Sequence, residues 1–270
     1  MRIAVAGGTG LVGRLVVEEV RAAGHTPVVL ARSTGVDLTT GAGLDEALDG
    51  VDAVVDVSNV TTTSRARSVA FFEAATGNLL AAGARAGVAH HVALSIVGVD
   101  RVGLGYYRGK LAQEALVLGS GASGGVAGSV LRATQFHEFA SQMLARGGPF
   151  ALAPRMLTQP VAAREVAVAL AELAAGEPVG LAPDLAGPER QQMSDMVRRL
   201  QRARGGRRPV LPVRFPGATG KAMLQGGLLP TGPGPRGSRT FDEWLAADAV
   251  AVARSAGAHA ADRRPRADRP

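Results

Sequence analysis

Gly7, Gly8, Gly10 and Gly13 lie within seven residues, directly after a short apolar run at 3–6 and directly before a helix-periodic stretch at 11–23. They satisfy G-x-G-x-x-G at Gly8, Gly10 and Gly13, and G-x-x-G-x-x-G at Gly7, Gly10 and Gly13. The spacing has a physical meaning in this context. The early glycines allow a tight turn, Gly10 lets backbone approach a pyrophosphate, and Gly13 lets helix and strand pack closely. The helix start then offers free N–H donors and a positive dipole end to phosphate. The loop Gly7, Gly8, Thr9, Gly10, Leu11, Val12, Gly13 is therefore the expected cradle of a dinucleotide.

The rest of the first half fits that beginning. Short apolar runs at 27–31, 53–57, 91–95 and 129–132 alternate with helix-like stretches at 65–86 and 107–118 and a shorter helix at 44–48. Buried strands separated by helices predict an α/β fold, a doubly wound parallel sheet of the Rossmann type. Beyond Thr134 the pattern loosens, with helices expected at 163–175, 194–203 and 241–255 and only loops and short helices in the Gly/Pro-rich stretch 205–237. We expect a cofactor-binding domain over 1–188, with 136–160 contributing to a small C-terminal substrate lobe. That lobe covers 189–255, and a disordered tail follows at 256–270.

Composition narrows the function classes. With no cysteine among 270 residues, disulfides, Cys-ligated metals and thiol nucleophiles are ruled out. The start MRIAVAGG is too short in apolar residues for a secretory leader. The longest uncharged run, 115–131, is too short for a bilayer span and holds five glycines, so a cytoplasmic protein with no membrane partner is expected. The net charge of +7 lies entirely in residues 136–270. Six arginines cluster between Arg198 and Arg208, without interleaved aromatic residues. They are expected to form a solvated helix end and loop, and no nucleic-acid partner is expected. The partner is a small-molecule substrate, and the oligomeric state is open.

Further candidates follow the loop. At the end of the second strand, where an NAD enzyme places an acid for the ribose hydroxyl, stand Arg32 and Ser33. An arginine there suits a 2′-phosphate, so NADP(H) is favoured over NAD(H). Asp37 and Leu38 are candidates for the adenine side. Ser58 and Asn59 follow the third strand, where ligands collect at strand carboxyl ends. Tyr106 and Lys110, four apart at a helix start, share one face, and an ammonium near a phenol lowers its pKa and makes it a usable acid or base. Ser95 adds a neutral donor for a carbonyl oxygen. Lys110 is one of only two lysines among 30 basic residues, which suggests a site that wants a compact ammonium.

Together the GGTGLVG loop, the Ser95 strand, Tyr106–Lys110, the LAQEALV helix and LRATQFHEF resemble the short-chain dehydrogenase/reductase superfamily, closest to its atypical, NmrA-like NAD(P)H-binding branch. The resemblance is strong over 1–140, continues through QPVAAREVAVAL and fades beyond about residue 188. It implies an extended Rossmann domain with a small substrate lobe. In it Tyr106 protonates the substrate oxygen, Lys110 holds the nicotinamide ribose, and Ser95 orients the carbonyl. Thr134 and Phe136 would lie against nicotinamide and substrate. The chain departs from the pattern where many members carry a catalytic Asn: Phe72 stands there, with Asn78 displaced by more than a turn.

Other motifs fail on context. His137-Glu138 lacks the second histidine of a zinc-protease helix, Ser141 taking its place. Gly121–Gly125 matches G-x-S-x-G on a helix-to-strand link, opposite to the elbow that hydrolase chemistry needs. The leading expectation is an NADPH-dependent reductase of a carbonyl, quinone or conjugated substrate. The alternatives are a non-catalytic NADP(H)-sensing regulator and an NAD(P)-dependent epimerase or dehydratase.

Overall fold

The computed structural model describes residues 1–146 and 148–248. Its first part alternates β1 (Arg2–Ala6), α1 (Leu11–Ala22), β2 (Thr26–Leu30), α2 (Leu44–Ala47), β3 (Ala53–Asp56), α3 (Arg65–Ala86), β4 (His90–Ile96), α4 (Gly105–Ser120) and β5 (Ala127–Ala133). The chain continues through α5 (Phe139–Ala145), β6 (Ala151–Pro154), β7 (Leu157–Thr158), α6 (Ala163–Ala175), β8 (Gly180–Leu181), β9 (Gln191–Gln192), α7 (Met193–Ala203), β10 (Val210–Val213) and α8 (Gly217–Leu224). Helical backbone at 241–248, labelled α9, ends the described part. The expected continuation of that helix to 255 and the tail 256–270 lie outside the described residues.

Strands pair in parallel in the order β2-β1-β3-β4-β5-β8. The chain leaves β1 to one side for β2 and returns to the other side for β3. This reversal opens a crevice at the carboxyl ends of β1 and β3. Both faces are covered, as a parallel sheet requires. Ile3, Val5, Val55, Val92 and Leu131 pack under α1 and α6, and Ala4, Val54, Leu79 and Leu80 pack on the other face with α2 and α3. The fold is the α/β doubly wound, Rossmann-like sheet expected from the sequence.

Local chemistry sets the helix limits. The Ser64 hydroxyl caps α3 by accepting the Arg67 N–H, and Gly87, at φ +73°, closes it in the left-handed region. At the start of α9, Thr240 and Glu243 cap each other reciprocally.

A second apolar cluster joins α5, α7, α8 and α9 through Met143, Met196, Leu200, Met223, Phe241 and Trp244. Contrary to the expectation of only loops and short helices there, the stretch 205–237 also holds β10, paired in parallel with β6. A smaller antiparallel pair joins β7 and β9. The β6–β10 ribbon buries Ala151 and Ala153 but leaves Phe150, Leu152, Leu211, Val213 and Phe215 exposed. The arginine cluster is not simply solvated either. Arg204 binds Asp248 and Ser141, Arg199 pairs with Asp242, and Arg208 donates to the carbonyls of Leu144, Arg146 and Gly148. These arginines staple α7 and the segment that follows it to the elements around them.

Helices α3 and α4 cross at Gly109, where an added Cβ would lie 2.2 Å from Ser68 Oγ and 2.6 Å from Ser68 backbone atoms. The same Ser68 hydroxyl donates to the Tyr106 carbonyl at 2.8 Å. Gly109→Ala should therefore force the helices apart, lowering stability in urea denaturation by about 1–3 kcal/mol.

Candidate active site

Gly7 adopts φ +78°, which only glycine holds without strain, and donates its N–H to the Leu30 carbonyl at 3.1 Å. A Cβ on Gly13 would sit 2.1 Å from the Gly7 oxygen, and one on Gly10 would sit 3.2 Å from it. Gly8 is buried against Val5 and Val29, while Thr9, Gly10 and Leu11 are exposed at the mouth of the crevice and Val12 is half-buried. The N–H groups of Leu11, Val12 and Gly13 open α1 and, as first-turn donors, have no acceptor within the helix.

Arg32 and Ser33 lie exposed on a single 3-10 turn after β2. Arg32 makes no side-chain hydrogen bond or ion pair among the described residues. Asp37 is turned into its own loop, where Oδ1 accepts from the N–H and hydroxyl of Thr39 and the N–H of Thr40. The Thr39 hydroxyl, above all, holds its carboxyl below the usual range. Asn78 serves this loop, donating to the carbonyls of Leu38 and Thr39 at 2.9 and 3.1 Å. It thus braces the expected adenine side rather than the Tyr–Lys pair.

At the ends of β3 and β4, the Ser58 and Ser95 hydroxyls are buried and have no partner among the described residues. Unsatisfied buried hydroxyls are costly, and two at one sheet edge mark where a ligand's polar groups belong. Thr134 is at the same edge but is already committed, donating to the Gln159 carbonyl at 2.6 Å. Phe136 is half-buried beside Val161.

The Tyr–Lys pair departs from expectation. Tyr106 donates its phenol to Asn59 Oδ1 at 2.7 Å, whereas Lys110 points inward, donating to the Leu94 carbonyl at 2.9 Å and to Gln113 Oε1 at 2.8 Å. The expected lowering of the tyrosine pKa does not occur. Burial pushes the Tyr106 phenol well up, with Tyr107 adding to the shift, so the neutral donor form is held. The ammonium sits 4.4 Å from the centre of the Phe72 ring, so the residue replacing the usual amide supplies an aromatic face. Burial lowers the Lys110 pKa to about 8, against the opposing pull of Asp56 and Glu114.

Several partners had no place in the sequence reading. Asp56 is fully buried at the end of β3 and accepts from Gln113 and from the Ser58 N–H. A lone acid ending an apolar strand, and an amide three residues after a rare lysine on one helix, were the available signals. Tyr107, adjacent to the candidate acid, is buried and hydrogen-bonded to Gln135, which in turn accepts from Thr158. Among the described residues, no group of three His, Cys, Asp or Glu side chains is placed to hold a metal. No helix among them is long and apolar enough to cross a membrane.

The glycine cradle, the first-turn donors and the orphaned serines suit a dinucleotide lying across the β1/β3 crevice toward Tyr106. The NAD dependent epimerase/dehydratase family model matches residues 3–99. No curated protein matches the chain. Among solved structures, dTDP-glucose 4,6-dehydratase from Streptomyces venezuelae, with NAD and TYD bound, is similar at TM-score 0.73 and 18% identity, covering 95% of this chain and 98% of that one. UDP-N-acetylglucosamine 4-epimerase from Bacillus cereus is similar at TM-score 0.67 and 20% identity, covering 94% and 99%. An NAD-bound short-chain dehydrogenase/reductase superfamily protein from Agrobacterium tumefaciens gives TM-score 0.68 at 20% identity, covering 98% and 100%. At these identities the likeness establishes the fold.

The buried lysine carries a pH signature. Its folded pKa of about 8 lies below the ordinary 10.5, so between these values the unfolded chain binds the proton and the folded chain does not. The cost of burying the charge is present below pH 8 and is relieved as pH rises toward 10.5. Urea denaturation at pH 7 and pH 10 should show the wild type gaining roughly 2–3 kcal/mol relative to Lys110→Met over that interval.

Proposed function

We propose that the chain is an NAD(P)-dependent enzyme that oxidises and re-reduces a secondary alcohol of its substrate, in the manner of an epimerase or dehydratase. The observation that carries this reading is the placing of a hydrogen-bonded tyrosine and two orphaned serines at the sheet edge that also carries the glycine cradle. The family model over 3–99 and the epimerase and dehydratase neighbours favour this class over a simple carbonyl reductase.

Bound NAD(P) would supply the hydride acceptor and donor. The chain's own groups handle the proton and the geometry. Tyr106 holds a proton on its phenol oxygen, and Asn59 fixes the direction of that O–H. Ser95 keeps an uncommitted hydroxyl for the substrate oxygen. Lys110 holds its positive charge over the Phe72 ring, which packs edge-on against Tyr106. A nucleotide sugar, as in the named neighbours, is the substrate class to test first.

One observation favours the reductase reading. The raised pKa of Tyr106 keeps it a proton donor, which suits delivery to a developing alkoxide rather than removal of a proton from an alcohol.

Absorbance of reduced nicotinamide separates the readings. An epimerase or dehydratase converts UDP- or dTDP-sugars with no net change in that absorbance, whereas a reductase consumes NADPH in proportion to a carbonyl or quinone product. Tyr106→Phe should lower either turnover by 100-fold or more, on the order expected for general acid–base catalysis. Tight cofactor binding with no turnover, and no effect of Tyr106→Phe on binding, would leave a sensing protein instead. We also propose a preference for NADP(H), supported by exposed Arg32 and by the inward turn of Asp37. Arg32→Ala should weaken NADPH binding about tenfold while leaving NADH nearly unchanged in fluorescence titrations. Equal effects on the two would remove the preference.

A further inference from the structure

The two oxygens of Asp56 serve opposite halves of the Tyr–Lys pair. Oδ1 accepts the Ser58 N–H at 2.9 Å, which orders the turn carrying Asn59, and Asn59 Oδ1 accepts the Tyr106 phenol at 2.7 Å. Oδ2 accepts from Gln113 Nε2 at 2.8 Å, and Gln113 Oε1 accepts from Lys110 Nζ at 2.8 Å. We propose that Asp56 is the positioning residue of the site, setting tyrosine and lysine relative to each other, with Gln113 as the amide that connects it to the lysine. The inference rests on the nicotinamide-dependent reading only for its effect on turnover, since the connections themselves need neither cofactor nor substrate.

The connecting amide is suited to its place. Between an ammonium and a carboxylate only one orientation satisfies both ends, carbonyl oxygen to the cation and NH₂ to the anion. The lysine charge is thereby balanced without the carboxylate reaching it, and Nζ stays free to hold the Leu94 carbonyl as well. Shortening the link to a direct ion pair would draw the ammonium toward β3 and away from the helix face it shares with Tyr106.

No other group on the elements packed here can take this role. Phe72 presents a ring, and Thr76 reaches Asp56 Oδ2 only at 3.5 Å. Glu114 is committed to Arg132 through two bonds of 2.9 and 2.7 Å. His91 faces the same Oδ2 at 4.0 Å, where burial keeps the imidazole neutral against the carboxylate's pull. Neighbouring His90 is turned to Ser129 and the Gly176 carbonyl. Tyr106 and Tyr107 are both held protonated by burial. The charge balance of the buried ammonium thus runs chiefly through Gln113 to Asp56, with Glu114 adding a smaller pull while bound to Arg132.

The chain's two lysines, Lys110 and Lys221, make the test direct. Protein labelled with 13Cε-lysine should give two titrating signals, exposed Lys221 serving as the internal reference. Asp56→Asn keeps an acceptor for the Ser58 N–H but removes the charge. The Lys110 midpoint should fall by about one pH unit or more while that of Lys221 stays in place. Adding Gln113→Glu to Asp56→Asn puts a carboxylate directly on the ammonium and should bring the midpoint back to the wild-type value or above. A purely structural role for Asp56 would leave the Lys110 midpoint of folded Asp56→Asn where it is in the wild type.

Should Asp56→Asn not fold, Gln113→Leu breaks the same connection with Asp56 in place, and the Lys110 midpoint should fall again. An unmoved Lys110 midpoint in a folded variant, or a fall that Gln113→Glu does not reverse, overturns the proposal. Because this readout uses no substrate, a chain with the expected titrations but no turnover would refute the proposed function and leave this inference standing.

Discussion

The contact on which the site depends is the seating of Gly13 against the Gly7 carbonyl. With a Cβ at Gly13 only 2.1 Å from that oxygen, the first turn of α1 reaches its place because Gly13 lacks a side chain. The approach carries the helix N-terminus to the sheet edge, where its N–H donors face the β1/β3 crevice. A side chain on Gly7 would likewise meet Ser58 Cα at 2.9 Å, so the end of β3 is packed onto the same loop. Ser58, Asn59 and, through Asn59, Tyr106 are then located relative to that loop. One steric requirement at the start of the chain therefore propagates to Tyr106 about a hundred residues later.

Features set by nearby residues were legible in the sequence. Helices α3 and α6 occupy the expected spans 65–86 and 163–175, because apolar periodicity over three or more turns leaves little freedom in where they begin and stop, and α3 is further fixed by Ser64 and Gly87 at its ends. The glycine loop is similarly local. The short strands of the second lobe were not legible, since two to four residues carry no period, and β10 forms only because β6, some sixty residues earlier, supplies its partner. The Tyr–Lys geometry failed for a related reason. Spacing on a helix says that two residues share a face, but Asn59 and the Gln113–Asp56 link decide where their polar ends go. Neither is near the pair in sequence except Gln113. Burial, which raises the tyrosine pKa, is a property of the assembled lobe and has no signature in the five residues from Tyr106 to Lys110.

The charges separate in the same way. In the site they are few, buried and connected: one ammonium, one carboxylate and an amide between them. Elsewhere the abundant arginines act as long-range fasteners. Arg164 binds Glu18 and Glu19, tying α6 to α1, and Arg132 joins β5 to Glu114 on α4. Arg101 reaches the carbonyls of Gly227 and Leu229, linking the segment between Ser95 and Tyr106 to the second lobe. The planar fork of arginine suits such bridging contacts, whereas the one buried cation near the tyrosine is a lysine. In the second half the same fastening work is done by Arg164, Arg199, Arg204 and Arg208, so much of its arginine content is mechanical.

The β6–β10 ribbon bears on how the molecule comes apart. Each of its strands has a single partner, its inner face contributes two alanines to the core, and its outer face leaves Leu152, Leu211 and Val213 in water. Few buried contacts and one row of backbone bonds mark a region of low local stability. Its amides should exchange with solvent through an opening that leaves the six-stranded sheet intact. The β6–β10 ribbon is thus a weakly held layer of the fold, and it can loosen without disturbing the glycine loop or the carboxylate that sets the site.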